Sequence, residues 1–294
     1  MQKPLAFIGA ALAAFAAANS GFAHGIIGNR FFPATVITDD PAVADELTLP
    51  IVAVARTADQ PPSTETDISA EWDKRLSTNF GVAFDGQWTH LAAWDGGVSG
   101  FQNFGTTFKY LAFTNAPHEV MVSAGLSVEW GGTGDEQVGA DKTTTLTPRF
   151  YFGKGAGDLP DSLAWAKPFA LTGEVGYGVP LAGGATRTLE TGFALEYSLR
   201  YLSAHVRDVG LPSFVNQMTP LVEVQLSTPV AHGGGAPTTG TVNPGVIWSG
   251  RHMQVAAEAM IPINGASGHA IGAIVQVHWF IDDLFPHSLG RPIW

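Results

Sequence analysis

The sequence predicts an all-β fold, an antiparallel transmembrane β-barrel of about twelve strands with ten as the alternative, and three observations carry that prediction. Apolar side chains alternate at spacing two along most of residues 66–282, the period of a half-buried strand, and spacing three and four is nearly absent. The opposite faces of these segments are built of Gly, Ala, Ser, Thr and Gln with about one acid per strand, which suits a crowded lumen better than an open surface. Only 14% of the 294 residues are charged while 45% are hydrophobic, and a soluble globular chain usually carries about a quarter charged residues.

Read in order, the chain begins with Lys3, an apolar stretch from Leu5 to Ala18, and small or polar residues before Ala23. That is the layout of a secretory signal peptide spanning 1–23, too short and Ala-rich for a spanning helix. Removing it leaves 14 Lys+Arg against 26 Asp+Glu, since Lys3 is one of the 15 basic residues.

Residues 24–65 follow as an irregular pre-barrel segment. Pro33, Pro41, Pro50, Pro61 and Pro62 argue against a long regular element there. The segment either plugs the lumen, with Arg30, Asp39, Asp40, Asp45 and Glu46 as its polar contacts, or hangs outside it.

The barrel is expected over residues 66–282. In its clearest strand, Val120, Val122, Ala124, Leu126, Val128 and Trp130 share one face, and Met121, Ser123, Gly125, Ser127 and Glu129 the other. Similar alternation places Phe169, Leu171, Val175 and Tyr177, then Phe193, Leu195 and Tyr197, then Val255, Ala257 and Ala259, then Ala273, Val275 and Val277 on apolar faces. Weaker segments lie at 68–72, 80–84, 108–113, 146–152, 222–226 and 242–248. Gly-rich turns separate them, such as Gly131-Gly-Thr-Gly-Asp and Gly153-Lys-Gly-Ala-Gly-Asp. The count reaches eleven, a bacterial single-chain barrel needs an even number, and the long stretch from Phe80 to Trp94 is the expected place of a twelfth. Aromatic strand ends, among them Trp72, Trp130, Tyr177, Tyr201, Trp248 and Trp279, fit an interfacial girdle. A soluble β-sandwich or lipocalin-like barrel with the same aromatics in its core is the competing fold. Residues 283–294 form a tail.

Charge and composition exclude several functions. With a formal charge of -11 there is no basic footprint for nucleic acid. The absence of cysteine removes disulfide scaffolds, thiolate metal sites and cysteine nucleophiles. The nine histidines show no metal-ligand spacing, and His24 would chelate copper only with a partner that the sequence does not identify. Nucleophile elbows, phosphate loops and dinucleotide fingerprints are absent, so no enzyme activity, cofactor or metal is expected.

The most distinctive pattern is one glutamate near the middle of several strands, always on the polar face: Glu71, Glu129, Glu174, Glu196, Glu223 and Glu258. Acids facing lipid at mid-depth are costly, so these are expected to line the lumen together with Arg200 and His278. Lys109, Arg149 and Lys167 are further candidate partners. The acids then either fasten the wall as ion pairs or line a pathway that repels anions. Acids spaced around a ring do not single out a hydrolytic pair.

At both ends the chain resembles a bacterial outer-membrane transporter family associated with the MetA pathway of phenol degradation, similar in style to long-chain fatty-acid channels. The residues concerned are Arg30-Phe-Phe-Pro-Ala-Thr, Thr38-Asp-Asp-Pro, Asp45-Glu-Leu, the closing Trp279-Phe-Ile-Asp-Asp-Leu-Phe-Pro and Leu289-Gly-Arg-Pro-Ile. The resemblance implies a monomeric barrel in the cell outer membrane, with lipid and a small-molecule solute as its partners, that passes hydrophobic or aromatic compounds by passive diffusion. A structural or partner-binding barrel without transport, using loops at 206–219 and 229–241, is the alternative.

Overall fold

In the computed structural model, which describes residues 25–93, 96–232 and 235–294, the alternating segments close into a ring. The expected signal peptide and His24 lie outside the described residues. Two short strands, β1 (Ile26–Ile27) and β2 (Arg30–Phe31), pair across a turn at Gly28, whose φ of 62° favours a residue without a side chain.

The ring consists of β3 (Glu46–Arg56), β4 (Thr64–Arg75), β5 (Phe80–Ala93), β7 (Phe104–Asn115), β8 (Val120–Trp130), β9 (Thr145–Gly155), β10 (Phe169–Pro180), β11 (Arg187–Tyr197), β12 (Met218–Ala231), β13 (Thr239–Ser249), β14 (Met253–Pro262) and β15 (Gly272–Phe280). A short β6 (Gly96–Phe101) folds back on the far half of β5. All neighbours are antiparallel, and β15 closes on β3, with Ala273 opposite Val54 and Phe280 opposite Glu46. This is a closed antiparallel barrel of twelve strands, so the ring itself has no open edge.

The twelfth strand is not where the sequence predicts it. The stretch from Phe80 onward does not hide a second barrel strand: β5 stays paired with β4 along its length, while on its other side Phe80–Asp85 pair with β7 and Trp88–Ala93 with β6. The missing strand is β3, inside the segment expected to precede the barrel, so the ring begins at Glu46 rather than at residue 66. Pro50 obscured it. Proline cannot donate to a ladder, and the pairing of β3 with both neighbours shifts register between Thr48 and Ile51 or opposite it. The tail is tied to the wall. Ile281–Leu284 form one helical turn, and the Ile293 and Trp294 amides donate to the Arg75 and Leu76 carbonyls at the end of β4.

The two faces separate as the alternation predicts. Leu195, Val275, Phe150 and Tyr110 are about half exposed on the outside, as are Trp72, Trp130 and Tyr177. Ser123, Thr172, Ala194, Glu223 and Gln276 are buried inside. The competing sandwich would have buried the apolar face between two layers. One aromatic leaves the expected girdle: Tyr201 is buried in the connection after β11. Trp248 stays at the end of β13, stacked on Phe214 at 5.7 Å.

Candidate functional site

The interior is organised by residues 30–45, which enter at the end of the barrel carrying the described termini, rise to mid-height and return. Arg30 anchors the entry. It is 1% exposed, its Nε donates to Glu119 Oε2 at 3.1 Å, and its Nη1 donates to the Pro168 carbonyl at 2.9 Å. Its guanidinium also lies 3.9 Å above the Tyr201 ring, a cation–π contact. Glu119 further accepts from Tyr201 Oη at 2.9 Å and the Gly157 amide at 3.0 Å. Burial, and then this donation to a carboxylate, push the Tyr201 hydroxyl up to about 12.

The rising arm packs on β12 to β14. Val36 joins a cluster of Leu221, Ile247 and Ala256, and the amides of Val36, Ile37 and Thr38 all donate to the Glu223 carboxylate. A carboxylate facing consecutive amides is a strong, charge-assisted arrangement. Lys109 Nζ holds the apex, donating to Asp39 Oδ1 at 2.7 Å and the Asp40 carbonyl at 2.9 Å. The returning arm passes the wall where glycines make room: a Cβ on Gly153 would lie 3.2 Å from Pro41 and 3.3 Å from Phe32, and one on Gly192 only 3.0 Å from Thr38. Near the entry, Ile27 and Phe32 pack with Met121 and Ala170.

Above the apex, toward the opposite end, a chamber of about 480 Å³ remains. Ile37 and Asp39 form its floor, and Glu71, Asp85, Glu129, Glu174 and Glu190 line its wall with Arg149. Arg149 donates to Glu174 at 2.8 Å and also pairs with Glu190, so one guanidinium is shared by two acids. Asn103 Nδ2 donates to Glu129 at 2.9 Å. The chamber is therefore strongly acidic, with six carboxylates against one guanidinium on its lining, and such a lining concentrates cations.

The expected lumen residues divide into groups. Glu71, Glu129 and Glu174 reach the chamber. Glu196, Glu223 and Glu258 point inward but are buried below it; Glu196 accepts from Thr172 Oγ1 at 3.1 Å, and Glu258 sits beside Glu223 and Asn243. His278 is buried between Thr48, at 2.9 Å, and Glu46, at 3.3 Å. Arg200 is not a lumen residue: the strand stops at Tyr197, and Ser198 caps a helical turn that carries Arg200 out to the barrel end. Lys167 is likewise outside, paired with Asp161 in a loop.

Of the expected plug contacts, Arg30, Asp39 and Asp40 lie in the interior segment, whereas Asp45 and Glu46 belong to the first barrel strand and its approach. Asp45 is fully buried against Lys74 and Arg75 at the end of β4. Sequence reasoning missed Asp85 and Glu190, which extension of the alternation by one residue past Phe84 and three residues before Phe193 would have placed on the inner face, and Glu119, whose role depends on a distant arginine. No group of three or more His, Asp or Glu suited to a metal ion occurs among the described residues, and no described helix is long and apolar enough to cross a membrane.

No family model matches the chain, and no curated protein matches it. Solved barrels do resemble it. An outer membrane channel from Pseudomonas putida F1 superimposes with a TM-score of 0.50 at 10% identity, covering 85% of this chain and 99% of that one. A KdgM porin gives 0.46 at 10% identity over 78% and 98%, and LpxR from Salmonella typhimurium 0.44 at 9% over 80% and 99%. Identities this low speak to the barrel fold alone.

Proposed function

We propose that the chain is an outer-membrane channel or transporter for small molecules, working by passive diffusion. The observation that carries this reading is the acid-lined chamber whose floor is a folded segment of the same chain. A barrel built only as a wall has no need of a water-accessible acidic space at one end. The charge of that space favours neutral and cationic solutes over anions.

Placement in lipid follows from the outward apolar side chains, with Trp72, Trp130 and Tyr177 near strand ends, and from the expense of leaving such a surface in water. Export through a cleaved signal at 1–23 and residence as a monomer in the outer membrane complete the reading. Residues 30–45 act as a plug whose displacement opens the path. The resemblance to the MetA-pathway transporters supports hydrophobic or aromatic compounds as the solutes.

A second reading, a structural or partner-binding barrel without flux, is favoured by the dense hydrogen bonding of residues 30–45 to the wall below the chamber. Planar-bilayer recording separates the two. A channel passes current that is cation-selective, and its reversal potential moves toward zero in Glu71→Gln/Asp85→Asn. Silence from the wild type and from Glu223→Ala, whose plug has lost its main anchor, supports the structural reading.

A further inference from the structure

The two ends of the barrel differ in charge. At the end bearing the described termini a separate cavity of about 750 Å³ opens between the β1–β2 hairpin, the connection after β11 and the turn before β14. That volume suits a small organic molecule. Arg200 and Arg251 line it, and neither has a carboxylate partner among the described residues. Arg30, Arg75 and Arg149 each meet one, whereas Arg56, Arg187, Arg207 and Arg291 share this lack among the described residues, so what sets Arg200 and Arg251 apart is that both line the same cavity. In a chain with 26 acids and 15 basic residues, two guanidiniums brought to one cavity make that cavity cationic against the charge of the whole molecule.

One acid, Asp283, shares the lining, so the two guanidiniums remain in excess. The facing wall is aromatic: Phe31 and Phe280 meet edge to face at 6.4 Å. Asn216 Oδ1, also on the lining, is buried without a hydrogen-bond donor among the described residues.

We infer that this cavity binds a small organic anion, a carboxylate or sulfonate carried on an aromatic body. The head meets Arg200 and Arg251, whose planar forks match such groups. The body packs on Phe31 and Phe280, and the Asn216 oxygen is offered to a donor on the ligand. The binding does not depend on whether the barrel conducts, because the cavity is separated from the acidic chamber by the folded segment 30–45.

Calorimetry on the full chain in detergent, with 1-naphthoate as the probe, tests this. Saturable binding is expected, weakened at least tenfold for neutral 1-naphthamide and for Arg200→Gln/Arg251→Gln. Arg200→Lys/Arg251→Lys should retain an intermediate affinity, inorganic phosphate should bind far more weakly than 1-naphthoate, and Glu71→Gln in the distant chamber should change nothing. Both arginines are exposed, so these variants keep the fold, which retained heat-modifiable migration on gels verifies. Absence of saturable 1-naphthoate binding, equal affinity in the double Gln variant, or phosphate binding as tight as 1-naphthoate overturns the inference.

Discussion

The Thr38 amide donates to Glu223 Oε2 at 2.7 Å, joining the apex of the interior segment to the middle of β12. The same carboxylate takes the Val36 amide at 2.7 Å and the Ile37 amide at 3.1 Å, so a single side chain from the wall satisfies three successive donors 185 or more residues away in sequence. This contact explains why a proline-containing segment without regular structure stays ordered inside the ring. Its buried amides have partners.

Glu223→Ala should therefore release the segment while leaving the ring closed. One buried and two partly buried donors lose their acceptor, a loss of roughly 1–3 kcal/mol after relaxation. Limited proteolysis should show new cleavage within residues 30–45, and Glu223→Gln, which keeps one acceptor oxygen, should be cut more slowly. Equal protection of all three proteins would remove Glu223 from its anchoring role.

Gly153→Leu tests the same packing from the wall. Its Cβ would already meet Pro41 at 3.2 Å and Phe32 at 3.3 Å, and the added branches have nowhere to go. Overpacking of this kind costs about 1–3 kcal/mol. Thermal melting should fall accordingly, and hydrogen exchange should rise at residues 30–42 before it rises in the strands.

Arg30→Ala removes a buried cation from Glu119, which then keeps only Tyr201 and the Gly157 amide. Breaking a buried pair from one side costs about 3–5 kcal/mol. Arg30→Ala/Glu119→Gln should recover part of that loss, which chemical unfolding in detergent would measure as a positive coupling.

Leu195→Arg addresses the outer face, where Leu195 is half exposed near the end of β11. In lipid an arginine there costs up to about 2–4 kcal/mol, falling toward the interfaces, whereas in water it costs little. Refolding yield into lipid vesicles should drop relative to Leu195→Ala. A yield equal to that of Leu195→Ala would argue against lipid contact at this position.

Loop 156–168 should loosen in acid. Hydrogen bonds from Lys154 and then His118 hold the Asp158 carboxyl below the usual range. A depressed carboxyl contributes stability that is present above its unfolded value, about 3.9, and is lost as pH falls through its lower folded value. Protection of the loop amides, taken relative to the intrinsic exchange rate at each pH, should thus fall below about pH 4, and Asp158→Asn should abolish this acid step.

Much of this protein can be read along the chain. Period-two alternation determines which side chains of β8, β10, β11, β14 and β15 face out and which face in, because successive residues of a strand point to opposite sides wherever the strand is placed. The inward glutamates are legible for the same reason. What only tertiary structure decided is pairing and path. Strand β3 is hidden by Pro50 and a register shift, since a proline breaks the local pattern while its neighbours across the sheet absorb the irregularity. Arg200 leaves the lumen because Ser198 ends the strand, Glu46 joins the wall, and Asp45 ties the end of the interior segment to Lys74 and Arg75. The contacts of residues 30–45 with Glu223, Lys109 and Glu119 link positions far apart in sequence, and no local periodicity encodes a partner that becomes adjacent only when twelve strands have closed around it.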